Sequence, residues 1–167
     1  MLKKEVSIFE LQEFSYGRKF NLLGRLYLSV LAEHLSHLGL EKNFSVLVLI
    51  NEMGDQCCQR FIADALHMDK AMMVGVVDDL SKREFIKRTQ NPSDRREYYI
   101  QLTEKGKESM PEIIATINRL NKSIMKKLST PEIEKLNDQM ESMYKSLVSI
   151  SKSGMEKKMN QLNRKRR

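Results

Sequence analysis

The stretch Asn91-Pro92-Ser93-Asp94-Arg95-Arg96 lies between Phe85-Ile86-Lys87-Arg88-Thr89 and Glu97-Tyr98-Tyr99-Ile100-Gln101-Leu102. Two short β-prone runs thus flank a polar turn of Asn, Pro, Ser and Asp, the signal of a hairpin. Arg95 and Arg96 stand at its tip, where no core can bury them. Upstream lie two helix-like segments, Gln59 to Leu66 and Lys70 to Lys82. Helix, short turn, helix and basic hairpin make the outline of a winged helix-turn-helix, an outline that usually reads DNA.

The second helix, Lys70 to about Arg83, is the candidate reader. At 100° per residue Met73, Val76, Val77 and Leu80 gather on one side and should face the core. Ala71, Val74, Gly75, Asp78 and Lys82 fall opposite, with Lys70 at the start. Small side chains allow close approach in a major groove, where Ala71 and Val74 suit thymine methyls and Lys70 a phosphate or guanine edge. Asp78 and Asp79 would be repelled by phosphates, so they must point away or pair with Lys82 or Arg83 one turn on. Asp69 is a good N-cap for this helix, whereas Cys58 occupies the cap position of the preceding one, a place favouring Ser, Thr, Asp or Asn. Phe61, Ile62, Ala65 and Leu66 form that helix's expected inner face, and Gln56 and Cys57 suit a short extended piece beside the hairpin.

Outside this unit the pattern is helical. Ile8 to Gly39 reads as one long helix, or a short one running into a long one. Phe20, Leu23, Tyr27, Val30 and His34 recur at helical spacing, and Leu31, Leu35 and Leu38 widen the stripe. Gly39 is its expected stop. Phe44 to Met53 is a shorter, nearly all-apolar helix ending at Gly54, and it should be central. After the hairpin Thr103 caps a long helix striped by Met110, Ile113, Ile117, Leu120 and Ile124 and ending at Leu128. The next helix starts either with a Ser129–Glu132 capping box or with Thr130 as cap and Pro131 at its first position. Ile133, Leu136, Met140, Met143, Leu147 and Ile150 repeat along it at heptad-like spacing. The fold expected is mainly α with a small β-hairpin. It places an N-terminal dimerisation helix at 1–42, the winged helix-turn-helix at 43–106, C-terminal dimerisation helices at 107–151 and a basic tail at 152–167. A dimer is preferred over an intramolecular bundle because a small reader usually pairs to reach two half-sites.

Composition sets further bounds. The net charge of +7 is uneven, because residues 152–167 carry seven Lys/Arg and one Glu and leave the rest nearly neutral. A basic cluster at a terminus meets a polyanion or is simply a solvated end. Its lysines and arginines, from Lys157 to Arg167, offer phosphate contacts that the body lacks. The adjacent Cys57 and Cys58 make a structural disulfide unlikely and a reducing cytoplasm the simpler context. No signal peptide is expected, and the longest unbroken apolar run, Val46 to Ile50, is far too short for a membrane span. With no Gly-rich phosphate loop, metal-ligand spacing or nucleophile–base order, neither an enzyme nor a cofactor is expected.

Taken together, Cys57-Cys58-Gln59-Arg60-Phe61-Ile62-Ala63-Asp64-Ala65-Leu66, Asp69 to Leu80, Arg88, Asp94-Arg95-Arg96 and Leu102-Thr103-Glu104-Lys105-Gly106 resemble the MarR family of bacterial transcriptional regulators. That resemblance implies a homodimer that binds palindromic double-stranded DNA as a repressor or an activator, with repression the expected sense, and is often released by a small molecule or stress signal. It places Lys70, Ala71, Val74 and Gly75 in the major groove, Arg96 in the minor groove, Asp94 orienting that arginine, and Arg95 near phosphate. Physics agrees, since a narrow minor groove attracts Arg and an Asp two residues away can hold its guanidinium. Departures are Met72, Val74 and Gly75, where the family often has Thr, Ser or Arg, and Glu84, where it often has Gly. Met72, Val74 and Gly75 point to weak direct base reading and to greater weight on shape read by the wing, and Glu84 to a different turn into Phe85.

The effector is less defined. Tyr16, Phe20, Tyr27 and His34 are candidates for a pocket that takes a small aromatic effector, although such a stripe is more often core. Cys58 is the candidate redox thiol, and Cys57 is expected to be a small core residue. His34 and His37 with Glu33 lack further partners for a metal, so none is expected. The competing reading is a helical interaction dimer whose winged domain has lost DNA binding.

Overall fold

A computed structural model describes residues 15–40, 43–54, 57–91 and 98–151. Six α-helices and one antiparallel hairpin follow in order: α1 (Tyr16–His34), α2 (Phe44–Met53), α3 (Gln59–Ala65), α4 (Lys70–Lys82), β1 (Ile86–Gln90), β2 (Tyr98–Leu102), α5 (Glu104–Met125) and α6 (Thr130–Ile150). Mainly helical with a two-stranded wing is therefore the observed class. The expected start of the first helix at Ile8, Gln56, the hairpin tip with Asp94, Arg95 and Arg96, and the basic tail lie outside the described residues.

Local signals place most boundaries. Ser15 caps α1, and a 3-10 turn at Ser36–Leu38 carries the chain to Gly39, whose left-handed φ of 68° ends it. Asp69 accepts the Met72 N–H at 2.8 Å and starts α4, while Thr103 accepts the Gly106 N–H at 3.1 Å and starts α5. At α6 the open choice resolves to Ser129, whose backbone N–H donates to the Glu132 carboxylate at 2.7 Å. Helix α5 ends at Met125, earlier than Leu128, which instead closes a turn back to the Met125 carbonyl.

Both ends of the helix-turn-helix close in the same unusual way. Met68 N–H bonds to the Ala63 carbonyl and Phe85 N–H to the Leu80 carbonyl, each at the six-to-one spacing of a Schellman cap. Such caps need a left-handed residue between, normally Gly; here those residues are His67 (φ 51°) and Glu84 (φ 63°). The left-handed backbone that Gly would supply is thus retained at Glu84, at a cost of about 1–2 kcal/mol for a side chain with a Cβ.

The core gathers where α1, α2, α4, α5 and the hairpin meet. Phe44, Leu47 and Ile50 of α2 are buried beside Met73, Val77 and Leu80 of α4, Ile100 of β2 and Ile113 of α5. Each side chain so buried stabilises the fold by roughly 1.5–3 kcal/mol. In α3 the deepest residues are Ile62 and Ala63, with Phe61, Ala65 and Leu66 only half-buried. The α1 stripe divides along its length. Leu31 and Leu35 are the buried members, whereas Phe20 and Leu23 remain exposed. The reason is that α1 meets α5 near the Tyr27–Asn121 hydrogen bond of 2.8 Å, and the first turns of α1 project beyond that contact.

Gly106 fixes how α5 leaves the wing. A Cβ there would lie 2.2 Å from the Phe85 carbonyl oxygen. That close approach lets Thr103 N–H bond to the same carbonyl at 3.1 Å while its hydroxyl donates to the Glu84 carbonyl at 2.5 Å. Helix α6, by contrast, has no buried residue, and its apolar stripe, including Met140, Leu147 and Ile150, is exposed.

Candidate nucleic-acid interface

Helix α4, the candidate reader, is oriented by its own periodicity. Met73, Val77 and Leu80 are sealed in the core, which turns Lys70, Ala71, Val74, Gly75, Asp78 and Lys82 to the surface. All four residues assigned to this helix as groove contacts are therefore exposed, and they lie on the side away from the core. Met72, at the flank of that side, is 54% exposed and Val74 44%. Lys70, Asp78 and Lys82 are the charged groups this outer side presents.

Two carboxylates that would repel phosphate are held by arginines. Asp79 pairs with Arg83 at 2.8 Å, as helix spacing leads one to expect, and Arg83 also donates to the Gly39 carbonyl. Asp78 does not pair with Lys82. Its partner is Arg88 on β1, at 2.5 Å. Register accounts for this. Ile86 pairs with Leu102 and Arg88 with Ile100, so the buried Ile86, Ile100 and Leu102 turn the face that also bears Arg88 toward the helices. The ion pair ties the wing to the reader and neutralises Asp78 on the outer face.

A hollow of about 340 Å³ lies where α3, the start of α4 and β2 meet, lined by Cys58, Gln59, Arg60, Ala63, Lys70, Met73 and Tyr98. Arg60 and Tyr98 escape a pattern-based reading because neither falls on an apolar stripe and the motifs that contain them give them no role. Backbone pairing holds the rim, with Cys58 bridging to Tyr99 and the Ile100 N–H donating to the Cys57 carbonyl at 2.7 Å. Cys57 is core, as expected for a small apolar residue, and Cys58 is half-buried in the rim.

The aromatic candidates all fall on one side of α1. Tyr16 and Phe20 stack with centroids 6.4 Å apart but are 77% and 47% exposed. Tyr27 donates its hydroxyl to Asn121, and burial pushes its phenol above the usual range. His34 bonds the Val30 carbonyl of its own helix at 2.8 Å. Within this single chain these four residues do not close around a common cavity; the cleft beside α1 is lined from its other side, by Arg18, Asn21 and Arg25 among others. His37 pairs with Glu112 at 2.9 Å. Among the described residues no group of three His, Cys, Asp or Glu is placed to hold a metal, and no helix is long and apolar enough to cross a membrane.

Comparison with known proteins agrees with this geometry. The model of the MarR family matches residues 41–98, which run from just before α2 to the start of β2. HTH-type transcriptional regulator MhqR of Bacillus subtilis is 36% identical over 91 residues, 52% of this chain and 62% of that relative, so the match spans less than two thirds of the relative's length. CouR from Rhodococcus jostii RHA1, solved bound to p-coumaroyl-CoA, superimposes with a TM-score of 0.66 at 25% identity, covering 77% of this chain and 91% of that one. A MarR-family regulator of Listeria monocytogenes complexed with 26mer DNA shares the fold at a TM-score of 0.75, with 24% identity over 81% of this chain and 90% of the other. Domain match, relative and fold concur: residues 41–98 match the MarR family, and the chain has the winged-helix fold of its solved neighbours.

Proposed function

We propose that this protein is a cytoplasmic, homodimeric, sequence-specific regulator of transcription that represses by occupying a palindromic operator and leaves it when a small molecule or stress signal arrives. One observation carries the reading: α4 keeps its apolar side in the core and turns a face of small residues outward beside a hairpin. A face of that width fits the major groove, and we assign Arg96, with Asp94 and Arg95, to the adjacent minor groove as the resemblance implies. Pairing through α1, α5 and α6 is supported by their exposed apolar side chains, among them Phe20, Leu26, Ile124 and Leu147. Patches of this kind usually mark an interface. A neighbour of the same fold on 26mer DNA and another holding p-coumaroyl-CoA support the DNA and effector parts of the proposal. A pocket including Tyr16, Phe20, Tyr27 and His34 would then need the second subunit to close it.

The test is a mobility shift on the DNA upstream of the protein's own gene. Arg96→Ala should weaken binding at least about ten-fold, the scale of one lost charge-assisted contact. Unchanged binding in the variant, or no shift with any genomic duplex, refutes the proposal. Because the outer face of α4 bears so few hydrogen-bonding side chains, an interaction dimer without DNA binding is the second reading, and the same assay separates the two.

A further inference from the structure

A protein that lays a helix in a major groove and a hairpin in the neighbouring minor groove must let one sugar–phosphate strand pass between them, because that strand is the ridge dividing the grooves. On the DNA-binding reading that strand would pass the hollow where α3, the start of α4 and β2 meet. Arg60 reaches it from α3, Lys70 from the start of α4 and Tyr98 from the first residue of β2. We propose that the hollow seats a backbone phosphate of the DNA, with Arg60 and Lys70 supplying charge and the Tyr98 hydroxyl a neutral donor. The inference rests on the DNA-binding reading above and names the part of the duplex that this site takes.

Three features point to an anion. Among the described residues no carboxylate lines the hollow. Arg60 and Lys70 have no ion-pair partner among the described residues, whereas Arg83 and Arg88 of the same unit are each held by an aspartate. Asp69, next to Lys70, is turned into its own helix cap, where it accepts the Met72 N–H. The volume of about 340 Å³ equals on the order of ten water molecules, room for a phosphate with part of its hydration. In a chain whose charge outside the tail is almost balanced, two cations left unneutralised at one point are where a polyanion gains most.

Two measurements test the seat. The first is the salt dependence of duplex binding by Arg60→Gln and Lys70→Gln. Each should lower the slope of log affinity against log salt by about 0.9, so that the loss between about 50 and 200 mM shrinks roughly three- to four-fold, with no change in sequence preference. The second uses the unmodified protein, with Cys58 as a reporter on the rim. Saturating duplex should slow the first N-ethylmaleimide adduct at least ten-fold, and millimolar inorganic phosphate should not. Tight duplex binding with unaltered slopes and an unprotected Cys58 overturns this assignment alone. Equal protection by inorganic phosphate overturns it in favour of a free-anion site. Absence of duplex binding by the parent protein overturns both readings together.

Discussion

Replacing Gly106 by Ala separates two lines of reasoning by the sign of the effect. Gly106 is in the first turn of α5, and from helix propensity alone Ala should stabilise by about 1 kcal/mol. The structure predicts the reverse. The new Cβ would sit 2.2 Å from the Phe85 carbonyl oxygen and 3.2 Å from its carbon, both backbone atoms, and 3.3 Å from Leu102 Cδ2. To relieve this, α5 must draw back from the wing by about an ångström, an overpacking cost of typically 1–3 kcal/mol. Retreat also stretches the Thr103 bonds to the Phe85 and Glu84 carbonyls, each contributing about 1 kcal/mol. After the propensity gain is set against these losses, the net destabilisation is roughly 1–3 kcal/mol, a fall in melting temperature of about 3–10 °C for a chain of this size. Thermal and urea unfolding followed by circular dichroism at one fixed protein concentration would measure it. Gly75→Ala is the matched control, since a Cβ there meets nothing within 4 Å, and it should gain the full propensity term. A Gly106→Ala protein as stable as its parent would refute the argument that close approach, rather than turn chemistry, requires this glycine.

Other expectations follow from the same contacts. Glu84→Gly should stabilise by about 0.5–1 kcal/mol, because relief of the left-handed strain exceeds the entropy added to the unfolded chain; a loss in the same unfolding assay would count against the Schellman cap. Arg88→Ala should change stability by no more than about 1 kcal/mol, as its pair with Asp78 is largely exposed, yet it should weaken DNA binding by freeing a carboxylate on the reader. Asp78→Ala in the same protein should recover much of that binding, and a double-mutant cycle with no coupling would reject the role. Hydrogen bonds from Ser129 hold the Glu132 carboxyl below the usual carboxylate range. With its folded value depressed, its contribution is complete above the unfolded value near pH 4.3 and is lost as pH falls through the folded one. Acid titration of helicity should therefore be shallower in Glu132→Gln, and an identical profile would exclude the capping box as its cause.

The residues themselves determined whatever depends on neighbours three or four positions away. Asp69 and Thr103 start their helices, Gly39 and Gly54 end theirs, and Met73, Val77 and Leu80 turn α4 so that Ala71, Val74 and Gly75 face outward. Such signals act within one turn of helix, so they survive in a linear reading. Tertiary structure alone decided the contacts made across the chain. Asp78 took Arg88 rather than Lys82 because strand register brought a β1 side chain nearer than the next helical turn. Leu31 and Leu35 were buried, and Phe20 and Leu23 left out, by where α5 happens to cross α1, a position no periodicity encodes. Glu84 accepted a left-handed backbone because the path from α4 into the wing demanded it. Arg60, Lys70 and Tyr98, which come from three different elements, share one hollow for the same reason: their proximity comes from packing α3, α4 and the hairpin on a common core, an event with no local trace in the sequence.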